Sequence, residues 1–121
     1  PQRLRRIFDP PAILFARGRL DLLSSVGIGV VGTRRPSPYG VAAADRLSRD
    51  LALAGGTITS GMARGIDSAA HRAALDVTGN TIAVLGSGID VVYPAENRKL
   101  AEEVAAKGLV LSEFPMGTPG Y

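Results

Sequence analysis

The chain has 121 residues, enough for about one domain, and an ordinary globular balance of 45 % hydrophobic and 21 % charged residues. That composition excludes a disordered tail or a coiled coil, and no apolar run approaches the roughly 20 residues needed to span a bilayer. With no Cys and a single His, a disulfide framework, a thiolate metal site, a Cys nucleophile and a multi-His metal cluster are all excluded. The absence of Cys fits a reducing cytoplasm, and the basic start Pro1-Gln2-Arg3-Leu4-Arg5-Arg6 leads into no long apolar core, so no secretory signal is expected. Fourteen Lys and Arg against 11 Asp and Glu give a net charge of +3, unevenly placed: Arg3, Arg5, Arg6, Arg17 and Arg19 accompany only Asp9 among the early acids, and Arg34 and Arg35 are adjacent. An anionic partner is permitted by this pattern, though not required.

The first 24 residues read as a lead-in segment packed on the domain, with a strand over Ala12 to Phe15 and a helical turn over Leu20 to Leu23. Residues 25–121 read as the N-terminal portion of an α/β domain. Gly27-Ile28-Gly29-Val30-Val31-Gly32 is short, apolar and β-branched, which suits a buried parallel strand. After the joint Thr33-Arg34-Arg35-Pro36-Ser37-Pro38, apolar Val41, Ala44, Leu47, Leu51 and Ala54 recur at helical spacing from Tyr39 to Ala54. Gly55-Gly56 ends that helix.

Thr57-Ile58-Thr59-Ser60 reads as the second strand, and Gly61-Met62-Ala63-Arg64-Gly65 as its joint. Asp67 is placed to cap a helix running to about Val77, closed by Gly79. Thr81 to Leu85 is the third strand, and Gly86-Ser87-Gly88 its joint. A helix follows from about Ala95 to Lys107, then Gly108, then a fourth strand Leu109-Val110-Leu111. Ser112 to Tyr121 holds two Pro and two Gly and reads as a loop. Alternation of this kind predicts an α/β fold: an open parallel sheet of about four core strands, wound by helices on both faces. So small a sheet, ending in loop chemistry, reads as part of a larger domain.

In open parallel sheets, ligands bind beyond the carboxyl ends of the strands. Three consecutive joints there carry glycine: Gly32-Thr33-Arg34, Ser60-Gly61-Met62-Ala63-Arg64-Gly65 and Gly86-Ser87-Gly88. Glycine lets backbone N–H groups approach a ligand, helix N-termini add positive potential, and Arg34 and Arg64 stand among them. Phosphate is the natural guest. The segment Tyr93-Pro94-Ala95-Glu96-Asn97-Arg98-Lys99 adds an aromatic that could stack on a base. Its Asn97, Arg98 and Lys99, in the first turn of a helix, read either as anion contacts or as a solvated face.

Other chemistries fare worse. The letters G-x-G-x-x-G at Gly27 to Gly32 lie within a strand rather than after it, and Ser60 stands where a ribose-gripping acid would end the second strand. No cofactor is therefore expected. No G-x-S-x-G elbow surrounds Ser60 or Ser87. Asp67 and His71, four apart on one helix, read as a supporting polar pair behind the phosphate loop, with ligand contact by His71 the lesser option.

Taken in order, Val31-Gly32-Thr33-Arg34, Ser60 to Asp67 with Ala70-His71, Ala83 to Gly88, Tyr93-Pro94 with Asn97, and Ser112-Glu113-Phe114-Pro115 resemble the DprA/Smf family of bacterial DNA-processing proteins. The resemblance runs from about Pro10 onward. It implies an extended Rossmann-like domain that binds and protects single-stranded DNA and loads the RecA recombinase onto it during natural transformation, without catalysis. It implies that Arg34 belongs to a basic DNA pocket bordered by Gly61 and Gly65, with Asn97, Arg98 and Lys99 lining it. After the S-E-[FY]-P block the family continues to an F-P-x-R-N-R block and further strands, which this chain lacks, together with much of a homodimer surface. The contrasting expectations are a Rossmann-like phosphoribohydrolase, although the G-G-x-G-T-x-x-E block of those enzymes is missing, or a small-nucleotide sensor.

Overall fold

A computed structural model of the chain describes residues 2–91 and 94–120. A short helix α1 (Gln2–Arg5) precedes strand β1 (Phe15–Gly18) and a 3₁₀ turn (Leu20–Ser24). Then follow β2 (Gly27–Gly29), α2 (Pro38–Leu53), β3 (Thr57–Ser60), α3 (Ile66–Val77), β4 (Thr81–Val84), a 3₁₀ turn (Ala95–Asn97), α4 (Arg98–Lys107) and β5 (Leu109–Ser112). The sheet order is β1-β5-β4-β3-β2. Strands β2 to β5 are parallel, in the registers Ile28 with Ile58, Ser60 with Ala83 and Ala83 with Val110. The lead-in segment contributes a fifth strand: β1 joins β5 antiparallel, Phe15 opposite Ser112. It lies three residues beyond the expected start at Ala12 and runs to Gly18.

Two expectations are corrected here. Strands β2 to β5 follow one another in a single direction across the sheet, so right-handed crossovers put all three long helices on one face, not on both. Packing agrees. On that face Ile58 packs with Ala52 of α2 and with Ala70 and Ala74 of α3, and Ala83 and Val110 pack with Leu75, Leu100 and Val104 of α3 and α4. The opposite face of β4 and β5 carries Ile82, Leu109 and Leu111, covered by Leu22 and Leu23 of the first 3₁₀ turn. The second correction concerns β2. It is an edge strand with Gly27 and Gly29 exposed, whereas the apolar run suggested a buried one.

Local chemistry accounts for the helix ends. Ser37 caps α2, its hydroxyl accepting from Gly40 N at 3.1 Å, with Pro38 at the first helical position. The buried stripe of α2 is Ala44, Ser48 and Ala52, while Val41 and Leu47 are exposed, so the helix is turned from the orientation its larger apolar residues suggest. Small side chains let α2 lie close to α3. Arg49 then bridges the pair, reaching Asp45 and Asp76 at 3.2 Å each.

Leu22 is 3 % exposed and is the main apolar cover over Leu109 and Leu111. Truncation to Ala leaves a cavity there, and Leu22→Ala should lower the unfolding free energy by about 3 kcal/mol. Urea denaturation measures this; an unchanged midpoint would mean that the 3₁₀ turn does not hold that face.

Candidate nucleic-acid interface

Because β2 to β5 are parallel, their carboxyl ends share one rim, and the segments that follow them meet there. A cavity of about 160 Å³ opens on this rim. Arg34 comes to it from the first joint, Gly61, Ala63 and Arg64 from the second, and Gly86 and Ser87 from the third. Pro94 and Gly120 complete the wall. Gly120 belongs to the segment after β5, where the sequence pattern predicts only a loop.

The second joint is the most tightly built. The Asp67 carboxylate, at the head of α3, accepts from Gly61 N at 3.1 Å and Ala63 N at 3.4 Å. Met62 takes the left-handed φ of 62°, uncommon for a residue with a side chain. Two things hold it there: its side chain is fully buried in the core, and Asn97 Nδ2 donates to its carbonyl at 2.8 Å. Ser68 joins this set, donating to Ala63 O at 2.6 Å and lying 3.0 Å from Asn97 Nδ2. Gly65 closes the joint at φ 78°, and a Cβ there would meet Thr33 O at 2.5 Å. Only glycine lets the first and second joints touch this closely.

Several expected contact residues therefore turn inward. Asn97 is buried and its amide is engaged within the fold, so it positions the second joint and does not line the cavity. Ser60 is buried and donates to Val30 O at 2.5 Å, tying β3 to the end of β2. Asp67 is not the helix cap; Gly65 occupies that position, and the Asp67 carboxylate reaches back to the loop instead. Gly32 lies against Ile66, and Thr33 shapes the first joint through Arg35 N at 3.1 Å, with Thr33 O accepting from Ile66 N at 3.2 Å. Ser87 lines the cavity while its hydroxyl donates to Val91 O at 2.5 Å and its carbonyl accepts from Ser112 Oγ. Gly88 N donates to Thr118 O at 3.0 Å, and a Cβ at Gly88 would meet Pro115 O at 2.6 Å. That glycine is thus a seat for the segment after β5.

The exposed cations differ in state. Arg34 makes no ion pair among the described residues, whereas Arg64 Nε is 2.6 Å from Glu96 Oε1. Arg98 and Lys99 are exposed and lie outside the cavity lining. Tyr93 lies outside the described residues. Among the described residues no three His, Asp or Glu side chains converge as metal ligands.

Asp67 and His71 do not form the expected pair. His71 is fully buried, with Nδ1 2.7 Å from Thr81 Oγ, and Thr81 Oγ donates to Ile58 O at 2.8 Å. With the hydroxyl proton directed at Ile58, Nδ1 must be the donor to Thr81 and Nε2 the bare nitrogen. Nε2 has no partner. A Ser60–His71 relay is not assembled either, since Ser60 bonds Val30 and His71 bonds Thr81.

Comparison with known proteins places this geometry in a family. Residues 1–120 match the family model described as DNA recombination-mediator protein A. The chain belongs to that family. It is 48 % identical over 122 residues to Protein Smf of Synechocystis sp., and 43 % identical over 119 residues to DNA processing protein DprA of Bacillus subtilis. Each match covers 98 % of this chain but only 31 % and 40 % of the relative. The chain therefore spans about a third of the length of these curated relatives. The solved structure of Streptococcus pneumoniae DprA superposes with a TM-score of 0.92 at 43 % identity, covering 98 % of this chain and 41 % of that one. A Helicobacter pylori DNA processing protein A, described in terms of a unique single-stranded DNA binding mode, superposes with a TM-score of 0.93 at 35 % identity, covering all of this chain and 55 % of that one. The α/β, Rossmann-like fold is common to them. Among the described residues no helix is long and apolar enough to cross a membrane.

Burial lowers the His71 pKa from 6.5 to about 4, against a smaller opposing pull from the Asp67 charge. The unfolded chain thus takes up a proton near pH 6.5 and the folded chain only near pH 4, so stability falls as the pH drops through that window. The His71 contribution is on the order of 3 kcal/mol. His71→Gln should be much less stable than wild type at pH 7.5, and the gap should narrow steadily toward pH 4 in chemical denaturation. A gap independent of pH would contradict a buried neutral imidazole.

Proposed function

We propose that this chain is a single-stranded DNA-binding segment that holds the sugar–phosphate backbone at the carboxyl rim of its sheet. One observation carries the reading: three strand-to-helix joints, with Arg34 and Arg64, converge on a single cavity. Two guanidiniums beside glycine-rich backbone suit phosphate oxygens. The described DNA-binding mode of the H. pylori relative supports the same partner. In this reading Arg34 is the primary phosphate contact, because it is exposed and unpaired among the described residues, and Arg64 is the second. Gly61, Gly86 and Ser87 form the floor, and Arg98 and Lys99 extend the positive surface beside it. Aromatic residues make up 5 % of the chain, so stacking engages few bases and binding tolerates sequence.

The protein acts as a binding module rather than an enzyme in this reading, since the side chains that could form a nucleophile and base are bonded elsewhere. In the longer protein it protects incoming single strands in the cytoplasm and loads RecA onto them during transformation, acting as a homodimer. The rim does not need a cofactor for this work.

Fluorescence anisotropy with oligothymidylates across a salt series tests the reading. Affinity should rise with length and fall steeply with salt. Arg34→Ala should weaken binding of a 20-mer about tenfold or more, as expected for losing a charged hydrogen bond, and reduce the log–log salt slope by about 0.7. Wild-type affinity in that variant would defeat the assignment of Arg34. Release of free base from nucleoside monophosphates would favour the phosphoribohydrolase reading instead.

A further inference from the structure

Strand β5 ends on the same rim as β2, β3 and β4, so the segment after it is a fourth joint, opened by the Ser112-Glu113-Phe114-Pro115 motif. Bonds to the third joint set its course. Buried Ser112 Oγ donates to Ser87 O at 2.5 Å and accepts from Phe114 N at 3.0 Å, which ties the end of β5 to that joint. Pro115 to Thr118 then form a closed turn, in which Thr118 N and Oγ1 donate to Pro115 O at 3.2 and 2.7 Å. Two further contacts seat this turn. Gly88 N donates to Thr118 O at 3.0 Å, and Gly117 N donates to Asp90 Oδ1 at 2.7 Å. Beyond the turn, Gly120 reaches the wall of the rim cavity, whereas Asp90 lines no part of it.

We propose that Asp90 is a positioning residue for the rim site: its carboxylate docks residues 115–120 as a strap that completes the cavity wall. This rests on the phosphate-binding reading of the rim. A wall already in place before a ligand arrives need not be ordered on binding, so a docked strap raises affinity, chiefly by slowing release. Asp90 also follows Ser87 of the cavity by only three residues, and a carboxylate so placed repels a polyanion. Charge and position therefore make opposite demands on this side chain. Loss of the charge alone favours binding, and loss of the acceptor oxygen frees the strap.

Two substitutions in the 121-residue chain separate these effects. Asp90→Asn keeps an acceptor oxygen for Gly117 N and removes the charge; Asp90→Ala removes both. Asp90 is exposed, so neither variant disturbs the core. Against a 20-nucleotide oligothymidylate, Asp90→Ala should bind about fivefold more weakly, mainly through faster dissociation, as expected for loss of one hydrogen bond. Asp90→Asn should bind at least as tightly as wild type. In the free proteins, amide exchange at Gly117 and Gly88 should speed up about tenfold in Asp90→Ala and stay close to wild type in Asp90→Asn. Tightening of both variants, equal weakening of both, wild-type affinity in Asp90→Ala, or unchanged exchange there would overturn the proposal. Inorganic phosphate, followed by the amide signals of Gly61 and Gly86, distinguishes its failure from that of the DNA reading. If no oligonucleotide binds any of the three proteins, yet phosphate binds Asp90→Ala more weakly than wild type and Asp90→Asn, the DNA reading falls and the strap stands. If phosphate binds all three alike, the strap falls.

Discussion

The site depends on one buried-end interaction: the Asp67 carboxylate at the head of α3, accepting two backbone N–H groups from the turn that leaves β3. A carboxylate is favoured there by the helix dipole, and the two amides would otherwise need other partners on leaving the sheet. Folding the loop back onto the helix in this way forces Met62 into left-handed backbone. It also aims Arg64 outward at the rim. Asn97 completes the clamp from the far side by holding the Met62 carbonyl, and that contact ties the second joint to the third. Arg64 is thus presented by a fixed loop, and its position follows from bonds made by residues that never touch the cavity.

A parallel sheet makes the rest of the arrangement possible. Its strands all end on one side, so short joints are brought together without any joint being long. The glycines act as contact points as much as turn formers. Gly65 lets the first and second joints meet, and Gly88 lets the segment after β5 settle against the third. The outcome is a small cavity with two guanidiniums at its edge, one unpaired among the described residues and one held by Glu96. Fixed positive groups over an otherwise neutral backbone suit a partner with repeated negative charges, which gains from both at once.

Much of this was legible in the sequence, for identifiable reasons. Thr57–Ser60 was delimited by glycines on each side and matches β3 residue for residue. The convergence of the three joints followed from the alternation of strands and helices, and the ordered motifs pointed to the family that the comparisons support. What was not legible was non-local. The pairing of Phe15–Gly18 with β5 joins residues nearly a chain length apart, and nothing near Phe15 signals it. Strand order is likewise absent from local pattern, so the placement of all three long helices on one face could not be read. Asn97 and Ser60 looked like ligand groups because small polar residues serve equally well as internal ties, and only the partners Met62 and Val30 decide between the roles. Asp67 has the chemistry of a cap, and the loop it holds was close enough to claim it.

The account stands on Arg34 and Arg64 gripping one strand together. A double-mutant cycle of Arg34→Ala and Arg64→Ala, read as the affinity for a 20-nucleotide oligothymidylate at fixed salt, measures this directly. The account predicts that each substitution weakens binding and that the double variant loses less than the sum of the two, because the strand loosens at both contacts when either is removed. Strictly additive losses, or wild-type affinity in either single variant, would contradict it.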